Sequence, residues 1–181
     1  MKPVVLLMAC AVTLSACNSS NENENTDSSN DNEALVSTES PEVVKKVTGI
    51  GGIFFKTENP SRMREWYSKN LGLVTDQYGA LFEFRSTDEP SQKNYLQWSP
   101  FSKTTTYFEP SEKEFMINYR VGNLSELLEE LQKNGVEIVD TIETYDYGNF
   151  VHIMDPDSNK IELWEPVDSV FTNLYDGKTA H

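Results

Sequence analysis

Residues 150–164 read Phe150-Val151-His152-Ile153-Met154-Asp155-Pro156-Asp157-Ser158-Asn159-Lys160-Ile161-Glu162-Leu163-Trp164. Two apolar-rich runs, 150–154 and 160–164, flank five residues of turn chemistry. Asp, Ser and Asn side chains bond the backbone a residue or two on, and Pro presets φ, so 155–159 predicts a tight reversal between two strands. Asp155 and Asp157 lack the further acidic positions of a calcium loop and are read as turn residues. Along the second strand Ile161 and Leu163 alternate with Lys160, Glu162 and Trp164. The first set is expected to face helices and core, the second the opposite side of the sheet.

Working upstream, Val136 to Val139 is a further strand candidate. Before it, Leu124, Leu127, Leu128 and Leu131 recur at helical spacing. Asn123 with Glu126 forms a capping box at the start, and Lys133-Asn134-Gly135 ends the helix. Phe115 to Val121 reads as a strand, with Ile117, Tyr119 and Val121 on one face and Met116, Asn118 and Arg120 on the other. The same plan occurs earlier, displaced by about 64 residues. Ile50 to Phe55 is a strand, and Asn59-Pro60 opens a helix carrying Met63, Trp66 and Tyr67 on one face. Asn70-Leu71-Gly72-Leu73 closes it. Strands are expected at Ala80 to Arg85 and Tyr95 to Trp98, with Trp98 in the core. An internal repeat of this kind implies two βαβββ units sharing one core.

Four stretches together resemble the glyoxalase/bleomycin-resistance/dioxygenase group, the vicinal oxygen chelate superfamily. They are Gly49 to Phe55; Trp66-Tyr67 with Asn70-Leu71-Gly72-Leu73; Tyr119-Arg120-Val121; and Asp155 to Leu163. The resemblance covers residues 47–166 and implies an α+β domain. Its paired modules would form an eight-stranded, U-shaped mixed sheet with the helices on its convex face and a ligand cavity on its concave face. Metal-dependent members place four ligands at positions that correspond here to Gly52, Gln97, Met116 and Glu162. Gly52 has no side chain, and a thioether is a poor ligand in an oxygen-rich site. No resident metal or other cofactor is therefore expected, and a divalent metal held through Glu162 is the alternative.

Strand alternation and the resemblance together assign Gln97, Asn118, Arg120, Tyr147, Phe150 and Trp164 to a small-molecule cavity. Glu162 and His152 are its candidates for acid–base chemistry. Each also has a structural reading: Glu162 as a carboxylate bonded across the cavity, His152 as a satisfied strand residue, Arg120 as a salt-bridge partner of Glu162, and the Tyr145 to Gly148 stretch as a packed aromatic turn. Three functions stay open: metal-independent ligand binding, as bleomycin-resistance members do; a metal-dependent lyase or isomerase of the glyoxalase type using Glu162; and an assembly role in the envelope.

The N-terminus is of another kind. Lys2 is followed by an apolar run that ends in Leu14-Ser15-Ala16-Cys17, too short for a permanent span and similar to the lipobox of bacterial lipoproteins. Residues 1–16 are read as signal peptide, with Cys17 as the lipidation site. Residues 17–46 form an acidic tether and 167–181 a C-terminal extension, where His181 is uninformative. Stable anchoring needs more than one acyl chain, which a lipoprotein Cys supplies. Asn18, in place of Asp, favours the outer membrane. The expected partners are a small molecule, the membrane through Cys17 and, as many superfamily members do, a second copy. The chain of 181 residues carries 29 acidic and 15 basic side chains, for a net charge of −14. Setting aside Lys2 and the seven tether acids leaves −8 on the rest. Without clustered Lys and Arg, nucleic acid is not a partner.

Overall fold

The computed structural model describes residues 46–175 and 177–179; the signal segment, Cys17 and all but the last residue of the tether lie outside the described residues. The first unit runs β1 (Val47–Thr57), α1 (Pro60–Leu71), β2 (Ala80–Arg85) and β3 (Lys93–Ser102). The second runs β4 (Phe115–Val121), α2 (Leu124–Lys133), β5 (Glu143–Tyr145), β6 (Gly148–Met154) and β7 (Lys160–Pro166). A third helix, α3 (Asp168–Tyr175), follows.

Seven strands form one mixed sheet in the order β2-β3-β1-β4-β7-β6-β5. The two units meet where β1 and β4 pair antiparallel, and each of those strands pairs in parallel with the last strand of its own unit. The pseudo-symmetry expected from the repeat is therefore visible in the pairing. In the place of an eighth strand, outside β2, stands the single bridge Thr75–Ala80. The segment expected as a strand at Val136 to Val139 makes only a short contact with β6. Ile138 bridges Ile153, the Val139 N–H donates to the His152 carbonyl at 2.9 Å, and the Met154 N–H donates to that of Glu137 at 3.0 Å. Asp140 interrupts the pairing there, its carboxylate taking the His152 N–H at 2.8 Å in place of a strand carbonyl.

The periodicities place the side chains as expected. Leu124 and Leu127 of α2 are buried with Val121, Val151, Ile153 and Leu163, and this cluster lies on the convex face. On the same face, Tyr67 of α1 packs on Trp98, with ring centroids 4.6 Å apart. The α1 N-cap is Asn59, whose Oδ1 accepts the Arg62 N–H at 2.9 Å; Gly72 ends the helix at φ 73°, a left-handed conformation suited to glycine. Asn123 caps α2 from a left-handed conformation of its own. Its side-chain amide, not its backbone N–H, reaches Glu126, at 2.5 Å. The reversal at 155–159 is built by Asp155, whose carboxylate accepts from the Asp157 and Asn159 N–H groups at 3.0 and 2.8 Å.

The helices are not all on the convex face. α3 lies across the concave face. Val170, Phe171, Leu174 and Tyr175 line the same cavity as Gln97, Asn118 and Glu162. Its anchor is Asp168, which pairs with the buried Arg120 guanidinium at 2.5 Å. Phe171 adds an edge-on contact with Trp164 at 5.4 Å, and the Thr172 hydroxyl bonds that of Tyr95 at 2.9 Å.

Candidate functional site

The cross-strand register sets up the cavity floor. Gln97, Gly52, Asn118, Glu162 and His152 are successive partners across β3, β1, β4, β7 and β6. Above this row is a cavity of about 480 Å³. Its walls are largely aromatic. Phe101 stacks on Tyr107 with planes 2° apart, and Phe150 stacks on Trp164 with planes 8° apart. Tyr78, Tyr147 and the α3 residues Phe171 and Tyr175 complete much of the rest.

Glu162, 2% exposed, is the only charged side chain among the described residues lining the cavity. Its Oε1 accepts from Asn118 Nδ2 at 2.6 Å, and its Oε2 accepts from the Tyr107 hydroxyl and from His152 Nε2, the latter at 3.0 Å. Three donors fill three of the roughly four directions in which a carboxylate accepts. Behind it, His152 Nδ1 faces Asp140 Oδ2 at 2.6 Å. Both ring nitrogens therefore face a carboxylate. Burial pulls the His152 pKa down, but the hydrogen bond and charge of Glu162, helped by Asp140, outweigh this and raise it above its usual value. Burial and the adjacent Glu162 charge push the Tyr107 hydroxyl up, so it stays a neutral donor. Burial lowers Lys160, whose Nζ donates to the Tyr107 carbonyl at 2.8 Å.

Of the residues assigned from sequence, Gln97, Asn118, Tyr147, Phe150, Trp164 and Glu162 line the cavity. His152 does not; it reaches the cavity only through Glu162. Arg120 does not line it either. The expected pairing with Glu162 or with an anionic ligand is replaced by Asp168, by the Asn94 Oδ1 at 2.9 Å and by the Trp164 ring, 5.1 Å from the guanidinium. The cause is α3, whose first residue delivers a carboxylate to the guanidinium.

The four positions corresponding to metal ligands do not converge as donors. At Gly52 the missing side chain is replaced by the Phe54 ring, which a Cβ there would approach to 2.5 Å. Gln97 turns its Nε2 to the Ser99 hydroxyl at 3.1 Å and to the Trp98 carbonyl at 3.3 Å. Met116 is fully buried with Phe54 and Phe108, and Asn118, two residues on, takes the place in the row between Gly52 and Glu162. Among the described residues no three His, Cys, Asp or Glu side chains are grouped as a metal site would need. The residues present do not fit a divalent cation.

A family model for the glyoxalase/bleomycin resistance protein/dioxygenase superfamily matches residues 49–163. The chain belongs to this superfamily. Among solved structures of similar fold is a methylmalonyl-CoA epimerase of Streptomyces coelicolor. It is 12% identical with a TM-score of 0.50, over 67% of this chain and 99% of that one. The epimerase of Mycobacterium tuberculosis is 19% identical with a TM-score of 0.49, over 71% and 95%. A superfamily member of Vibrio splendidus is 9% identical with a TM-score of 0.42, over 64% and 97%. Identities at this level speak to the fold alone. No curated protein matches the chain.

The superfamily match ends before α3, so the roof of the cavity lies outside the part the family defines. Sequence reasoning placed these residues in an extension. It also passed over Tyr78, Tyr107 and Asp140. For α3 a signal was present: Val170, Phe171, Leu174 and Tyr175 recur at i, i+1, i+4 and i+5, an apolar stripe. For Tyr107 and Asp140 there was none, since both are single residues in connections between elements.

Proposed function

We propose that this superfamily domain binds a small organic molecule in the concave cavity and does so without a metal. The observation that carries the reading is the half-open aromatic cavity of about 480 Å³, lined by α3 on one side and floored by the Gln97–Asn118–Glu162 row. Ligand sites are commonly concave, apolar and of a few hundred cubic ångströms, with few polar groups. The donor set at the four metal positions supports the metal-free part. The test is a thermal-shift screen of small molecules on the full chain carrying Cys17→Ala. A compound at about 100-fold its Kd adds roughly 2.7 kcal/mol to stability, and Trp164→Ala should abolish that shift. A screen in which no compound raises Tm overturns binding. Near-stoichiometric zinc, nickel, manganese or iron in the purified protein, lost in Glu162→Ala, overturns the metal-free part.

The Asp140–His152–Glu162 chain, ending at the cavity, favours a second reading in which Glu162 is the base of a lyase or isomerase. That reading requires a turnover that Glu162→Gln removes while ligand binding persists.

The lipobox-like Leu14-Ser15-Ala16-Cys17 supports display on a bacterial membrane, the outer membrane by the Asn18 criterion. No helix of the described residues is long and apolar enough to cross a membrane. Cys17→Ala should move the protein from the membrane fraction to the soluble one; continued sedimentation with membranes overturns the anchor.

A further inference from the structure

We infer that the cavity selects flat, uncharged aromatic molecules bearing a hydrogen-bond donor, and that it rejects acids and amines of the same shape. The inference deepens the small-molecule reading above and rests on it.

The first observation is the charge balance of the floor. Glu162 and Asp140 are countered by His152, held between them at 3.0 and 2.6 Å, and by Lys160. With a carboxylate at each of its ring nitrogens, His152 leaves neither Glu162 nor Asp140 without a basic neighbour, and Lys160 Nζ sits beside Tyr107 next to them, so no unpartnered carboxylate awaits a ligand cation. The next cation, Arg120, is balanced by Asp168 at 2.5 Å. Among the described residues lining the cavity none is Lys, Arg or His. A ligand carboxylate would lose its hydration without gaining a cation.

The second observation disfavours a ligand cation. Aromatic faces attract cations, but key walls already hold one of the protein's own. Arg120 lies 5.1 Å from the Trp164 ring centre, and the Lys160 ammonium lies 5.4 Å from that of Tyr107. An incoming ammonium would meet rings already serving a like charge.

The third observation sets the polar requirement. The accessible polar groups of the floor are acceptors. Glu162 has three donors and one direction left. Gln97 spends its Nε2 on Ser99 and the Trp98 carbonyl, and the buried Asn118 Oδ1 has no hydrogen-bond partner among the described residues. The Ser99 hydroxyl is spent on the Tyr78 carbonyl at 2.7 Å. An O–H or N–H on the ligand would complete the set. The stacked wall pairs, Phe101–Tyr107 and Phe150–Trp164, suit a flat ring.

The test uses one scaffold in four forms, 2-naphthol, 2-methoxynaphthalene, 2-naphthoate and 2-naphthylmethylammonium, titrated calorimetrically at pH 7 into the full chain carrying Cys17→Ala. The naphthol should bind tightest. Removing its donor should weaken binding by about three- to tenfold, the usual worth of a neutral hydrogen bond, and either charge should weaken it by more than about tenfold. Two variants should tilt the balance in opposite directions. Glu162→Gln leaves excess positive charge and should bring naphthoate up towards naphthol. Lys160→Met leaves excess negative charge and should do the same for the ammonium. Naphthoate or the ammonium matching naphthol in the unsubstituted protein overturns the charge inference, and equal binding of the methoxy compound overturns the donor requirement. No binding of any of the four overturns the inference as a whole, and the proposed function falls with it only if the broad screen is empty as well.

Discussion

The two repeats share a plan and differ in chemistry. In the second, α2 buries Leu124 and Leu127 in a six-residue cluster with β4, β6 and β7. In the first, α1 has no buried residue, and Trp66 is 53% exposed. On the concave side the contrast persists. The second repeat supplies Asn118, His152 and Glu162, while the first supplies the neutral Gln97, glycines at 51 and 52 and a share of the aromatic wall. One duplicated scaffold has thus divided its labour: the second half carries the helix-packed aliphatic cluster and the charged network, and the first carries aromatic packing and shape. The sheet permits this because each face of a strand is set by alternate residues, so one face can diverge while the other keeps packing.

The sharpest way to break this comparison is to cut into each core. Leu124→Ala should cost about 2–5 kcal/mol, as deletions of fully buried leucines do, whereas Met63→Ala on α1 should cost under about 1 kcal/mol, within the range of half-buried changes. Urea unfolding measures both, and equal losses would refute the division. Next in size is the latch of the roof. Asp168→Ala strands a buried guanidinium, a loss of about 3 kcal/mol if α3 stays in place. The expected relief is release of α3, seen as rapid proteolysis near Phe171 while residues 47–166 stay resistant; unchanged resistance at Phe171 would show that the latch does not hold the helix.

A smaller effect distinguishes glycines in the two repeats. A Cβ at Gly51 would come within 2.1 Å of Asn118 Oδ1 and 2.7 Å of the Trp164 ring, whereas one at Gly122 meets nothing within 4 Å. Gly51→Ala should cost about 1–3 kcal/mol by overpacking and weaken ligand binding. Gly122→Ala should change Tm little. The smallest expected effect is on pH. His152 is raised above its ordinary 6.5 in the folded protein. Its contribution to stability is fully present below that unfolded value and is lost as pH rises through the folded value. Melting temperatures should therefore fall from pH 6 towards alkaline pH more in the unsubstituted protein than in His152→Gln; parallel curves would show that His152 does not carry this term.

Most of the site's floor was legible beforehand. The alternation of Lys160, Glu162 and Trp164 against Ile161 and Leu163 fixes a face, and a strand cannot hide which residues share one. Gln97 and Asn118 follow from the same rule, and Phe150 from the resemblance that turns His152 inward. Alternation puts Arg120 on the correct face but does not name its partner, because Asp168 lies 48 residues away and nothing local links the two. The resemblance puts Met116 at a ligand position, yet register puts Asn118 in the row, since the fold around Phe54 and Phe108 takes the thioether into an apolar cluster. The Val136 to Val139 strand has the right composition, but Asp140 ends its pairing by taking the His152 N–H.

By itself the sequence determined the repeat, the helix caps, the turn at 155–159, the two faces of the strands at 95–98, 115–121 and 160–164, and the shortage of metal-ligand side chains. Each of these depends on neighbours within a turn of helix or a few residues of strand. The tertiary structure alone decided that α3 roofs the cavity, that Arg120 answers to Asp168, and that Tyr107 and Asp140 join Glu162 and His152 in one network. The reason is physical: these contacts join residues far apart in the chain, and their pairing is set by how the sheet curves and what can reach its concave face, which no local pattern encodes.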